Sequence, residues 1–369
     1  MKKINFIKSL LALAISLTLV QCTSDDPIPG PAGTDGTNGI NGVAGAPGAN
    51  GANGDNICLK CHNADFKIVQ PATFALTPKN GSLKRGTGYC KTCHTDDGYK
   101  IYQANGFTNM KDTSGPDGVV GITCTTCHSG GHGSAAAAIS GVDVALRNGS
   151  TAVVLTEQWV AGTSDIIDFK NNSNTCVTCH QPRDPYRTQV VDNLDGTFTI
   201  NTSRPGPHYG TQTVLLEGFF ANEISGTVAY PVRGSAGHRK GASCVQCHMG
   251  AASADGISGN HSFKPVLDKC KTCHTGAGVV DYNINGGQTK IKNLMKDLAL
   301  EIVRVAPAFS VDADGGLVIP SNRTVNNEVI AKAVWNYRLL YYDHTYGLHN
   351  PKYADALLKN TIAALKLLP

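Results

Sequence analysis

Six times in this chain a pair of cysteines two residues apart is followed at once by a histidine: Cys58, Cys61 and His62; Cys90, Cys93 and His94; Cys124, Cys127 and His128; Cys176, Cys179 and His180; Cys244, Cys247 and His248; Cys270, Cys273 and His274. Two thiols at this spacing reach the two vinyl groups of one porphyrin, and the adjacent imidazole reaches the iron from one face. This is the attachment signature of c-type haem, and six copies imply six covalently attached haem c groups. The competing chemistry is zinc held by four thiolates, which leaves the histidine after every pair unexplained. Disulfides in an oxidising compartment are a further alternative.

The chain has 12 histidines. Six belong to the motifs, so His132, His208, His238, His261, His344 and His349 remain. Haem iron takes a second axial ligand from His, Met, Cys or Tyr, or stays open, and six spare histidines match six irons. They are therefore the candidate distal ligands. Met110, Met249 and Met295 are the rival ligands once the initiator is set aside. His344 is the weakest candidate, because His349 follows it closely. His132 follows His128 so closely that it suits a neighbouring haem better than the same iron.

The N-terminus gives an address. Lys2, Lys3 and Lys8 precede an apolar run from Ser9 to Val20, too short to span a bilayer and suited to a signal peptide. Leu19-Val20-Gln21-Cys22 resembles the lipobox of bacterial lipoproteins, with Gln21 where a small residue is usual. Cys22, the one cysteine outside a motif, is then the lipidated residue; a plain secretory signal is the alternative. Thr23-Ser24-Asp25-Asp26 resembles the acidic tag of surface-exposed lipoproteins in Bacteroidota. Glycine then recurs at every third position from Gly30 to Gly54. That is the collagen period, but only Pro31 and Pro47 fall between the glycines, so a flexible tether is favoured over a trimerising triple helix. At about 3.1 Å per residue, the tether reaches roughly 80 Å.

The elements that must position the haems differ along the chain. Before residue 288 the expectation is a loop-rich, haem-packed region with little regular structure, in which porphyrins supply the apolar interior. An exception is a hairpin at Asp195-Gly196. After it, Ile291, Leu294, Met295, Leu298, Ile302 and Val305 keep helical period. Asp314-Gly315-Gly316 marks a hairpin. Val329, Ile330, Ala333, Val334, Tyr337, Leu340 and Tyr341 mark a second helix, and Asn350-Pro351 caps a third that runs to about Leu367. His344 and His349 fall in the turn between the last two helices. The expected division is 1–21 signal peptide, 22–57 lipid-anchored tether, 58–287 hexahaem region and 288–369 C-terminal helices supplying distal ligands.

Beyond the motifs, three segments resemble bacterial multihaem c-type cytochromes: Gly206-Pro207-His208-Tyr209-Gly210; Cys244 to Met249 with Gly259-Asn260-His261-Ser262-Phe263-Lys264-Pro265; and Trp335-Asn336-Tyr337 through Gly347-Leu348-His349-Asn350-Pro351-Lys352-Tyr353. The last is similar to the terminal helical signature of pentahaem nitrite reductases and related surface cytochromes. The resemblance covers residues 58 to 369 and implies His208, His261 and His349 as distal ligands. It does not carry catalysis across. Those reductases hold a Cys-x-x-Cys-Lys motif, and all six motifs here end in His.

The resemblance and the histidine tally imply a non-enzymatic electron carrier, an outer-membrane lipoprotein exposed at the cell surface or else periplasmic. Its partners would be redox proteins or extracellular electron acceptors, with the membrane reached through the N-terminal lipid. Removing the three lysines of residues 1–21 from a formal charge of +4 leaves +1. Haem propionates then make the holoprotein acidic, which excludes nucleic acid as a partner. The rival readings are an oxyanion reductase with one open iron, and a filament or collagen-like oligomer.

Overall fold

The computed structural model describes residues 78–79, 82–83, 86–118, 120–129, 145–202, 204–251, 259–276, 278–320 and 322–369. The signal peptide, Cys22, the Gly-x-y stretch, the first motif (Cys58, Cys61, His62) and His132 lie outside these residues.

The first part of the described chain is built from single turns. The helices are α1 (Lys91–His94), α2 (Asp96–Ala104), α3 (Cys124–Cys127), α4 (Asn174–Val177), α5 (Tyr186–Gln189), α6 (Gln212–Glu217), α7 (Gly237–Gly241), α8 (Cys244–His248) and α9 (Leu267–Lys271). Sheet is sparse. Two-residue strands pair as β1 (Pro78–Lys79) with β2 (Ser82–Leu83) and as β3 (Val153–Val154) with β4 (Ile166–Ile167). The hairpin expected at Asp195-Gly196 forms between β5 (Val190–Asp192) and β6 (Phe198–Ile200).

Helix α2 departs from the expectation of loops. Thr95 caps it by accepting from the Gly98 amide at 3.1 Å, which satisfies one of the donors a helix start leaves open. Tyr99 and Tyr102 are buried along it. Gly98 lowers its sequence signal, yet the fold requires that glycine: a Cβ there would stand 2.3 Å from the Lys91 carbonyl oxygen.

The C-terminal part carries the long helices α10 (Gly287–Val305), α11 (Glu328–Asp343) and α12 (Pro351–Lys366). Between the first two lie β7 (Ser310–Val311) and β8 (Leu317–Val318), the expected second hairpin, and then β9 (Arg323–Val325). Strand β9 pairs antiparallel with β6, a long-range pairing that local pattern does not reveal. Ile291, Met295, Leu298 and Ile302 form the buried stripe of α10. Helix α11 is buried on most of its circumference, as a central helix must be. Asn327 accepts from the Val329 amide at 2.8 Å and Asn350 from the Tyr353 amide at 3.2 Å, so both helices have side-chain caps.

The two parts share one apolar core, so side chains also contribute to the interior expected of the porphyrins. Val153, Leu155, Ile167, Phe169, Val177, Ile200, Val214 and Phe220 pack in the same cluster as Leu298, Val334, Trp335 and Leu357. Polar clamps fix the contact. Trp335 Nε1 donates to the Phe220 carbonyl at 3.1 Å. Asn336 accepts from the Asn222 amide at 2.9 Å and donates to the Asn222 carbonyl at 2.8 Å. Asn360 grips the backbone of Val228 in the same way.

Candidate haem centres

Each described motif lies on one helical turn or its continuation, because a turn puts residues i and i+3 on one face. The His180 amide donates to the Cys176 carbonyl at 2.9 Å and the His274 amide to the Cys270 carbonyl at 2.9 Å. Each histidine is thus set one turn above its first cysteine. Ser243 and Gln246 form a capping box at the start of α8. Gln246 is a spacer residue of the fifth motif, so the spacer itself starts the helix that carries His248.

Spacer residues and their neighbours also join one motif to the next. Asp96 accepts from Thr126 at 2.7 Å and Thr125 at 3.1 Å, both in the spacer of the third motif, and pairs with Lys100 at 2.5 Å. Burial pushes the Asp96 carboxyl upward, but Lys100 and the hydroxyls outweigh it and hold its pKa below the usual value. Tyr99 shares a hydrogen bond of 3.0 Å with Thr178, in the spacer of the fourth motif, and Gln181 donates to Tyr102 at 3.1 Å. Helix α2 is therefore a bracket for the second, third and fourth motifs. Ser173 and Ser243 share a buried bond of 2.7 Å that ties the fourth motif to the fifth. The Val266 amide donates to the Cys247 carbonyl at 2.9 Å, which leads to the sixth. Lys91, in the second spacer, is 1% exposed. Its ammonium donates to the carbonyls of Thr113, Ser114, Gly115 and Pro116 at 3.3, 2.6, 2.9 and 3.1 Å.

The thiols follow the same order. The Cys93 and Cys179 thiols lie close enough to perturb each other's titration, as do those of Cys176 and Cys244. The nearness of Cys176 draws Cys244 down to about 7, while Cys244 pushes Cys176 up. Cys247 lies in the field of Cys270 and Cys273. In thioether linkage these sulfurs would not titrate, so the lasting information is proximity. The fourth motif adjoins the second and fifth, and the fifth adjoins the sixth.

The histidines supply the decisive geometry. Ring centroids of His128 and His261 are 6.2 Å apart, those of His274 and His238 6.2 Å, and those of His248 and His349 6.5 Å. Two imidazoles bound to one metal through bonds of about 2.0–2.1 Å place their centroids about 6.3 Å apart. Each pair joins one motif histidine to one spare histidine. Segments far apart in sequence make these pairs. Gly259, at φ +83°, turns the chain into His261, and a Cβ there would stand 2.4 Å from the Ala251 carbonyl oxygen. His238 sits on α7, and His349 in the turn between α11 and α12.

The other ring nitrogen is also provided for. The Nδ1 atom of His248 bonds the Phe263 carbonyl at 2.8 Å, that of His238 the Leu348 carbonyl at 2.6 Å, that of His349 a carboxylate oxygen of Asp343 at 2.6 Å, and that of His180 the Gln212 side-chain oxygen at 3.0 Å. A carbonyl or carboxylate partner makes Nδ1 the protonated nitrogen, which leaves the Nε2 lone pair for a metal. Burial lowers the pKa of His180, His248 and His261, favouring the neutral ring that ligation needs. Burial works the same way on His349, but Asp343 outweighs it and raises the value. By centroid spacing and nitrogen orientation, the residues fit haem iron with two imidazole ligands.

The remaining candidates stand differently. His208 accepts at Nδ1 from the Tyr209 amide at 2.6 Å. Tyr209 lies edge-on to His208, centroids 5.4 Å apart, and stacked on His344 at 5.3 Å. These two histidines gather about one tyrosine, and among the described residues no ring pair of the kind above includes His180. Met110 and Met295 are buried at 1% and 4% exposure. Asp343, Gln212 and Asp96 were not singled out from sequence. The one sequence signal was the position of Asp343 just before the turn that carries two candidate histidines. The carbonyls of Phe263 and Leu348 leave no sequence signal.

Residues 232–366 match the family model described as cytochrome c552. A C-type polyheme cytochrome OmcB, from Geobacter sulfurreducens strains PCA and DL-1, is 25% identical over 230 residues, covering 52% of this chain and 29% of the relative. The chain thus spans less than a third of the length of those relatives. The crystal structure of the outer cell wall cytochrome OcwA aligns with a TM-score of 0.45 at 17% identity, over 75% of this chain and 45% of that one. A chain that repeats the haem-attachment motif, sets histidine pairs at the spacing of an iron's two axial ligands and aligns over half its length with a polyhaem cytochrome is itself a multihaem c-type cytochrome, with haem c as its cofactor.

Proposed function

We propose that this protein carries six haems and passes electrons along them at or outside the cell envelope, without itself transforming a substrate. The observation that carries the reading is the set of three motif–spare histidine pairs. His128 with His261 holds the haem of the third motif, His248 with His349 that of the fifth, and His274 with His238 that of the sixth. His62, His94 and His180 hold the other three, with His132, His208 and His344 as the pool of distal ligands. The thioether bonds come from the twelve motif cysteines. Haem supplies one-electron chemistry at an iron whose potential the axial ligands, burial and hydrogen bonding tune. The protein's part is to fill both axial positions, so that no substrate reaches the iron, and to fix the order of the centres. The brackets from α2 and from Ser173 to Ser243 support a route that links the second and third motifs through the fourth to the fifth and sixth.

In this reading residues 1–21 direct export, Cys22 carries a lipid, residues 22–57 tether residues 58–287 away from an outer membrane, and residues 288–369 buttress the haem region. The partners are redox proteins or extracellular acceptors. Intact mass after acid extraction should exceed that of the processed polypeptide by six haem masses; fewer than five overturns the count. The oxidised protein should give only low-spin signals, and the reduced protein should not bind carbon monoxide. Cys22→Ser should release the protein from membranes with its haems intact.

One observation favours a second reading, an oxyanion reductase. His208 and His344 both contact Tyr209, which leaves room for one iron with an open face. A high-spin fraction equal to one haem, with carbon monoxide bound, would move the assignment there.

A further inference from the structure

Among the five histidines whose Nδ1 partner is described, three face neutral oxygens, the Phe263 and Leu348 carbonyls and the Gln212 amide, and His208 faces the Tyr209 backbone N–H. His349 alone of these faces an anion, Asp343, at 2.6 Å. The Asp343 side chain is 0% exposed and that of His349 14%, so water screens their contact little. The other Asp343 oxygen accepts from the Thr345 hydroxyl.

We infer that Asp343 tunes the centre held by His248 and His349 to a lower reduction potential than the centre held by His238 and His274. This rests on the ligation proposed above. A carboxylate that accepts from Nδ1–H draws the proton toward itself and makes the imidazole more electron-rich at Nε2. An electron-rich axial ligand favours ferric over ferrous iron and so lowers the potential. The buried negative charge acts in the same direction, since reduction adds an electron beside it. The His238–His274 pair has a neutral partner on His238. Its neighbour has a neutral partner on His248 and an anionic one on His349, so the two centres differ in the charge Asp343 brings. The fifth motif adjoins the fourth through Cys176 and Cys244, and the sixth through Cys247 and Cys270. The tuned centre therefore has neighbours on both sides, and an electron passing to it from the sixth-motif centre must climb in energy.

The test is spectropotentiometric titration of the holoprotein. Asp343→Asn keeps the shape and an accepting oxygen but removes the charge. It should move the midpoint of one haem upward, beyond the spread of repeat titrations, with all haems still low-spin. Thr345→Val removes the hydroxyl that shares the carboxylate, and should move the same midpoint downward; it carries the test if Asp343→Asn does not fold. His349→Ala identifies the wave by turning that haem high-spin and reactive to carbon monoxide. If His349→Ala does this while the variants at Asp343 and Thr345 move no midpoint, the inference is overturned and the ligation stands. If His349→Ala leaves every haem low-spin and silent to carbon monoxide, the ligation itself falls, and the inference with it.

Discussion

Among the described residues before Ile284, the longest helix has 9 residues; after it, three helices have 19, 16 and 16. The contrast lies in what orders the chain. Isolated single turns are unstable, because nucleation fixes many dihedrals for one hydrogen bond. In the motif region each turn is held by polar brackets to its neighbour: Asp96 to Thr126, Tyr99 to Thr178, Ser173 to Ser243. In the C-terminal region apolar stripes order long helices, and polar groups serve as caps and clamps. In one region contacts between motifs order the chain, and in the other the packed helices supply a rigid wall. Between α11 and α12 that wall projects His349 into the first region.

This division can be broken from either side. Trp335→Ala should have the largest effect on stability, about 3–5 kcal/mol, lowering the midpoint of chemical denaturation for the whole cooperative unit, because Trp335 lies in the shared core and clamps Phe220. Loss of hydrogen-exchange protection confined to the C-terminal helices, with the motif region unchanged, would contradict a shared core.

Asp96→Ala removes the acceptor for a lysine and a set of threonine hydroxyls and should cost about 1–3 kcal/mol. The loss should be local: faster exchange in α2 and α3, with α10 and α12 unchanged. Global unfolding would show that the brackets and the core are one unit. Asn350→Ala should cost about 1 kcal/mol as a lost cap and should also disturb the spectrum of one haem, since His349 is the preceding residue. A stability loss with no spectral change would separate the wall from the ligand. Lys359→Ala, which breaks a half-exposed contact with Asp355 on α12, should stay within about 0.5 kcal/mol.

Much of this was legible in advance where the signal was local. The C-terminal helices, the Asn350 cap and both hairpins follow from period and turn chemistry within a window of a few residues, whereas the Asn327 cap was not read from the sequence. Helix α2 was hidden because its capping threonine and its Gly98 are each ambiguous alone; its role depends on Thr126 and Thr178, residues remote in sequence. Strand β9 was hidden for the same reason, since its partner β6 lies between the fourth and fifth motifs, remote in sequence.

The haem-attachment motifs and the set of candidate axial histidines are legible in the sequence by itself, because thioether formation and proximal ligation would depend on neighbours within five residues. Which spare histidine faces which motif, and whether its outer nitrogen meets a carbonyl, an amide or the Asp343 carboxylate, was decided only by tertiary structure. Those contacts join His261 to His128 and His238 to His274 across segments that become neighbours only when the shared core and the brackets close. Ligand type is written in composition, whereas ligand pairing is a matter of distances that exist only in the folded chain.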